Sequence, residues 1–522
     1  SQCAVQCGVN MDAPASPAFP AKIWVKIFGN LSAFQLTRTR LVCRQWYGIV
    51  CGEPSLIGKF TIARVEDFAD EEQEQNVNKP AALEAMRRYV RVHLVNGINI
   101  PLDTSWLALG ENLTFLSLDA CCIGTDALVE MLRRAANLES LRMNDRFCFR
   151  QKCQTAINFK LEKMRNLDLR VENLSEALRV LGQICSPLKT LKISLFIGRA
   201  DEDLMRFIQP MLATLLEFQL WDVYADDGLL QRILNLDWKT LKNFSVVFKW
   251  QKDPSYKFEL HNLKYKLEHV TLSPVTIWND ESLGKFRSFL PFLQCVTLDT
   301  TLPDDSFVKL LPTTLLHLSI TFANVRERHL PLDLSGYHNP NLKTLKLSRF
   351  YLPRESFLQC CQHCPNINNL SLGQCTFEDP TEMTTAIAQL PSLATLTLLV
   401  MSEYLPVECP APWTVTELAL YSCSVSEQAV TQLIRQCPQL AGISFDRCAM
   451  TGNTVVAMWR QFGARLKSVT LHDCRSLGCE FVDCFVEQRC QLERLTVWNC
   501  RLDNASKQRL RVGLGGVHLK LK

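Results

Sequence analysis

Nowhere in these 522 residues does an apolar run approach the roughly 20 residues that a membrane-spanning helix requires, and the N-terminus lacks the charged-then-apolar order of a secretory leader. The expectation is a soluble protein of the cytoplasm, the nucleus or both, with reduced thiols. Neither sign of charge prevails, since 57 basic and 53 acidic residues leave a formal charge of +4. That balance excludes wholesale attraction to nucleic acid or an anionic membrane, so partners must be chosen by local surfaces. A phosphate loop is missing: Gly513-Leu514-Gly515-Gly516 has neither the spacing nor the following Lys-Ser/Thr. Metal-site spacing is missing too. Cys360, Cys361, His363 and Cys364 have no second pair at finger distance, and Cys474, Cys479, Cys484 and Cys490 fare no better. No nucleophile signature accompanies the 23 cysteines and 9 histidines. The chain is therefore expected to be non-catalytic, with no cofactor and no metal.

What is present is repetition. The pattern L-x-x-L-x-L, with apolar substitutions, opens at Leu113, Leu138, Met164, Leu188, Leu215, Leu241, Leu267, Leu293, Leu315, Leu342, Ile367, Leu393, Val415, Leu440, Leu466 and Leu492. These sixteen openings stand 22 to 27 residues apart, and Tyr89-Val92-Leu94 and Leu514-Val517-Leu519 are eroded terminal copies. Within a copy, Leu440, Ile443 and Phe445 follow the period of a short strand. The next segment changes period: Val425, Ala429, Val430, Leu433, Ile434 and Cys437 form a helical stripe, with Ser426 as its N-cap and Pro438 as its stop. Strands stack about 4.8 Å apart and helices about 8–10 Å apart, so such units must curve with the strands inside.

On these residues the segment 89–519 resembles the leucine-rich-repeat family, which implies an α/β horseshoe solenoid of about 16–18 repeats. Cys121, Cys375, Cys423, Cys448, Cys474 and Cys500 stand eight residues after an opening, and Cys364-Pro365 and Cys437-Pro438 close helices. This spacing is similar to the cysteine-containing subtype. A thiol is small enough for a tight turn and costs little when buried. The copies opening from 138 to 342 mostly lack these cysteines, and the sequons at Asn243 and Asn369 lie inside predicted strands, where no glycan fits.

Residues 19–50, "FPAKIWVKIFGNLSAFQLTRTRLVCRQWYGIV", match no repeat. Their spacing predicts three short helices, started by Pro20 and by a Ser32-x-x-Gln35 capping box. Ile23, Ile27, Phe28 and Leu31 share one face, and Val42, Trp46, Ile49 and Val50 another. So small a segment cannot bury all this apolar surface by itself. The order Phe19-Pro20, Ile23, Ile27-Phe28, Leu31, Leu36, then Arg40-Leu-Val-Cys-Arg-x-Trp46-Tyr47 resembles the F-box. That resemblance implies docking on a Skp-family adaptor and, through it, on the cullin-RING scaffold of an SCF-type ubiquitin ligase. Phe19, Pro20, Ile23, Ile27, Leu36, Val42 and Trp46 would then supply the adaptor-facing and core-forming set. Phe19 stands where the family has Leu, and Lys22, Lys26 and Gln35 where it often has acids, which alters the docking electrostatics.

The expected organisation is a disordered tail (1–15), an F-box (16–60), an acidic loop or linker (61–80) and a repeat domain (81–522). Substrate selection falls to strand residues two, four and six places after each opening. Arg142, Arg170, Lys192, Trp221, Tyr421, His472, Arg494 and Trp498 are the candidates, with Trp221, Tyr421 and Trp498 as anchors because exposed aromatics dominate interface energetics. Arg142, Arg170 and Lys192 lie on consecutive copies and suit an acidic or phosphorylated peptide, although Asp168 stands among them. The expectation is a substrate receptor of a ubiquitin ligase. Two alternatives stay open: an interaction scaffold whose helices only cap the repeats, and a small-molecule sensor of similar architecture.

Overall fold

The computed structural model describes residues 20–31, 35–36, 39, 42–57, 61–65, 91–95, 99–100, 112–145, 149, 151–195, 201–223, 229–248, 266–275, 290–300, 308, 311–322, 330–400, 411–423, 427–487 and 491–521. Phe19, Ser32, Arg40, Ser426, the tail 1–15 and the acidic stretch 66–80 lie outside the described residues. The chain divides into two compact units, Ser1–Val223 with Asp237–Leu241, and Tyr224–Leu236 with Lys242–Lys522.

The first unit begins with helices α1 (Ala21–Phe28), α2 (Arg44–Gly52) and α3 (Pro54–Ile57). Strands β1 (Thr61–Val65), β2 (Arg91–Val95), β3 (Phe115–Asp119), β4 (Ser140–Asp145), β5 (Asn166–Val171), β6 (Thr190–Ser194) and β7 (Glu217–Val223) follow. Each pairs with the next in parallel, so Leu116, Leu141, Leu167, Leu191 and Phe218 stand in one row. The interval expected as a linker thus starts with a strand: β-prone Thr61, Ile62 and Val65 add it to the sheet beside β2. Helices Thr125–Arg134, Leu174–Ile184 and Asp201–Ile208 run between strands.

The second unit repeats the scheme over β8 (Asn243–Phe248), β9 (His269–Val275), β10 (Cys295–Thr300), β11 (His317–Phe322), β12 (Thr344–Ser348), β13 (Asn369–Gly373), β14 (Thr395–Leu399), β15 (Glu417–Tyr421), β16 (Gly442–Asp446), β17 (Ser468–His472), β18 (Arg494–Trp498) and β19 (His518–Leu521). All pair in parallel in chain order, with one register shift between Leu272 and Val275. The predicted helix before Pro438 is described over Glu427–Gln436. Each unit is therefore a stretch of leucine-rich-repeat solenoid.

All sixteen opening residues are buried, the most exposed being Leu492 at 7%. Burying one such side chain contributes about 1.5–3 kcal/mol, so the period-two alternation is what orients each strand. Beyond the strand, or within its last two residues at Asp222, the chain turns through a left-handed residue, Ala120, Asp222, Arg349, Gln374, Val400, Ser422, Arg447, Asp473 and Asn499 at φ between 50° and 65°. This costly conformation is held because the turn N–H donates to the next repeat: Ser422 to Asp446 O, Arg447 to His472 O, Asp473 to Trp498 O. The following cysteine donates to two carbonyls, as Cys448 does to Leu420 O at 3.3 Å and Asp446 O at 3.5 Å. In the copy opening at Leu342, which lacks the cysteine, buried Phe350 fills the place.

On the helix side, neighbouring repeats are tied by carboxylates. Asp126 Oδ1 accepts the N–H groups of Gln154 and Thr155 at 2.9 and 2.8 Å, and Glu176 that of Cys153 at 2.8 Å. Glu382 accepts those of Glu355, Phe357 and Leu358 at 2.8, 3.0 and 3.1 Å. Backbone donors of an irregular segment (Cys153–Thr155) and of a short helix start (Glu355–Leu358) are thus satisfied one repeat away.

Candidate functional site

The helical segment has a closed core of its own. Phe28, Leu36, Val50 and Leu56 are buried together, with Trp24, Leu31, Trp46 and Ile49 packed against them. Trp24, Phe28 and Trp46 form a ring cluster with centroids 4.8 to 5.4 Å apart. The Val-Cys-Arg-x-Trp tail has a local reason: Cys43 is the extended N-cap of α2, and its Sγ accepts the Trp46 N–H at 3.5 Å. Helix start and ring position are thus set together.

This core sorts the candidate set. Leu36 and half-buried Trp46 line the interior, whereas Pro20, Ile23, Ile27 and Val42 face outward. Ile23 is 41%, Ile27 44% and Val42 60% exposed, and Tyr47 joins them at 55%. Trp24 and Tyr47 were not in the predicted set. Trp24 lies one helical turn before Phe28, which was signal enough; Tyr47 gave none beyond adjacency to Trp46.

The strand surface of the first unit brings Arg142, Asp168 and Lys192 into one row across β4, β5 and β6. Asp168 lies 3.6 Å from Arg142 Nε and 3.7 Å from Arg170 Nε, while Lys192 pairs with Glu217 at 3.1 Å. Burial pushes the Asp168 carboxyl above its usual range, against the pull of Arg170, Arg142 and Lys192. Each of the three predicted cations therefore has a carboxylate beside it, but Arg142 and Arg170 share Asp168, so three cations face two carboxylates. Arg170 also stacks over Trp221, 4.3 Å from the ring centre.

In the second unit, register places Tyr421, Asp446, His472 and Trp498 side by side across β15 to β18. His472 Nδ1 is 2.8 Å from Asp446 Oδ2, its ring meets Trp498 at 6.0 Å, and Lys520 Nζ lies 5.1 Å over the Trp498 ring. Arg494 is exposed at the start of β18. It lowers the Glu417 carboxyl only in part, since burial, the larger effect, raises it. Two of the three aromatic anchors are thus covered on one side by a cation, which fixes their orientation without hiding them.

Cys360 and Cys361 are fully buried in the helix Ser356–His363, and Cys364 closes it. Among the described residues no group of three His, Cys, Asp or Glu side chains could hold a metal ion. No helix among them is long and apolar enough to cross a membrane.

Comparison with known families places residues 18–62 in an F-box-like profile and residues 376–518 in the profile described as FBD-associated F-box protein At5g56370, LRR repeats. The chain combines an F-box-like domain with leucine-rich repeats. No curated protein gives a significant match. Solved structures similar to this chain include the TLR13–ssRNA13 complex, at 14% identity and TM-score 0.40 over 83% of this chain and 66% of that one. This chain therefore spans just under two thirds of that relative. A leucine-rich-repeat protein of Leptospira interrogans is 16% identical with TM-score 0.28 over 85% and 98% of the two chains. The yeast complex of Rad7 and Elc1 is similar at 11% and TM-score 0.30, over 96% and 90%.

Proposed function

We propose that the protein is the substrate-recognition subunit of an SCF-type ubiquitin ligase, acting in the cytoplasm, the nucleus or both. The observation that carries this reading is the exposure of Ile23, Ile27, Val42 and Tyr47 around a helical core already closed by Phe28, Leu36, Val50 and Leu56. A segment that matches the F-box-like profile and needs none of those four side chains for its own core offers them to a Skp-family adaptor, and through it to a cullin-RING scaffold. The repeats hold the protein to be modified on their strand face, with Trp221, Tyr421 and Trp498 as anchors and Arg142, Arg170, Lys192, His472 and Arg494 as polar contacts. The chain supplies no bond-making group in this reading. It raises the effective concentration of the substrate beside a conjugating enzyme held by the same scaffold.

Co-purification with a Skp-family adaptor tests the proposal. The wild-type chain is expected to capture the adaptor, and an Ile27→Asp, Val42→Asp double variant to lose capture while keeping its circular dichroism spectrum. Capture by neither form, or by both equally, would leave the helices as a cap and favour a scaffold role.

A further inference from the structure

The cysteines of the late repeats form a column. Tyr421, Asp446, His472 and Trp498 are in register, so Cys423, Cys448, Cys474 and Cys500, each two residues further on, follow one another at the spacing of neighbouring strands. Cys423, Cys448 and Cys474 are buried at 1%, 2% and 0%, whereas Cys500 is partly open to solvent. Cys474 donates to Phe445 O and His472 O at 3.7 and 3.4 Å, and Cys500 to Leu471 O and Trp498 O at 3.6 and 3.5 Å. The two thiols therefore occupy equivalent places in adjacent turns, about 4.8 Å apart at the backbone, inside the 4.4–6.8 Å that a disulfide spans.

We propose that Cys500 and Cys474 are a peroxide-reactive dithiol, with Cys500 the attacking sulfur and Cys474 the resolving one. The partners of Cys500 suit it to that role. The neighbouring Cys474 thiol, foremost, brings the Cys500 thiol down to about 7; the Cys474 N–H and His472 assist, while burial and Asp473 oppose. Cys153 and Cys295, also partly open, are raised by burial instead. Buried Cys185 and Cys375 are raised as well. Cys364 is lowered by its neighbour Cys360, but it is fully buried and so shielded from an oxidant in solution.

The chemistry balances with hydrogen peroxide as oxidant. The Cys500 thiolate attacks one peroxide oxygen; the S–O bond forms, the O–O bond breaks, and the departing hydroxide takes up the proton that the thiol had shed, giving one water. Cys474 Sγ then attacks Cys500 Sγ, forming the S–S bond and expelling hydroxide, which leaves with the Cys474 proton as a second water. Two thiols lose two electrons in all and the peroxide gains them. Forming the bond withdraws both sulfurs from their carbonyls, including that of Trp498, so oxidation reaches the strand face directly. The site stands on its own residues and does not depend on the ligase reading.

The test treats the reduced full-length chain with one equivalent of hydrogen peroxide, blocks remaining thiols with N-ethylmaleimide and maps peptides without reduction. A Cys474–Cys500 linked peptide is expected as the first product. In Cys474→Ser, Cys500 should instead be trapped by dimedone as the sulfenic acid, and in Cys500→Ser neither product should form. Pulse alkylation of the untreated wild type, which needs no variant, should label Cys500 with a half-maximal rate near pH 7. Oxidation of other cysteines while Cys500 stays reduced, a link from Cys500 to a different cysteine, or alkylation of Cys500 only above about pH 8.5, the ordinary thiol range, would overturn the proposal.

Discussion

The Phe28 ring meets the Trp46 ring edge-on, with centroids 5.2 Å apart, while Ile27, its immediate neighbour in sequence, is 44% exposed. Adjacent residues of one short helix thus divide between interior and surface. Phe28→Ala should remove a buried aromatic and cost about 3–5 kcal/mol, abolishing the helical segment's cooperative unfolding. Ile27→Asp should leave that unfolding in place and lose only adaptor capture. Circular dichroism melts alongside pull-downs separate the two, and equal melts for both variants would contradict the packing.

Glu382 should matter more than its surface-type chemistry suggests. Its carboxylate accepts three backbone N–H groups from the preceding repeat, one of them from left-handed Glu355. Glu382→Ala leaves those donors without a partner, at a cost of about 2–3 kcal/mol. Hydrogen exchange at Phe357 and Leu358 should accelerate in the variant, while amides of β17 and β18 stay protected, because repeats lose stability locally.

Acid should weaken the first unit through Asp126 and Glu176. The Thr155 hydroxyl and N–H foremost hold Asp126 below its usual value, and Arg179 does so for Glu176. A depressed folded-state carboxylate contributes stability that is complete above its unfolded value, about 3.9 for Asp and 4.3 for Glu, and that is lost as pH falls through the folded one. Urea midpoints should therefore drop below about pH 4.5 in the wild type. An Asp126→Asn, Glu176→Gln form should start lower at neutral pH and lose less on acidification.

Asp168 should behave in the opposite sense. Its carboxyl is raised by burial, so ionisation opposes folding at neutral pH, and stability rises as pH falls through the folded value. Asp168→Asn is accordingly expected to keep or slightly raise the urea midpoint at pH 7. It also leaves Arg142 and Arg170 without their shared carboxylate, so retention of a phosphorylated peptide should increase relative to wild type. A fall in midpoint at pH 7 would show that the three cations outweigh burial.

The repeat, its strand alternation and the burial of all sixteen openings were legible because each rests on a short-range period that recurs many times. The F-box resemblance was legible for a similar reason, a fixed order of apolar positions within 32 residues. Tertiary structure alone decided the rest. Whether Leu36 or Ile23 faces inward depends on which helix meets which, and that is a matter of three-dimensional packing that spacing within one helix cannot specify. Asp168 beside Arg142, Lys520 over Trp498 and Cys500 beside Cys474 join residues about one repeat apart, and only the register of the sheet brings such partners within reach. Local periodicity sets the element, but the environment that gives a side chain its charge, exposure and reactivity is made by neighbours distant in sequence.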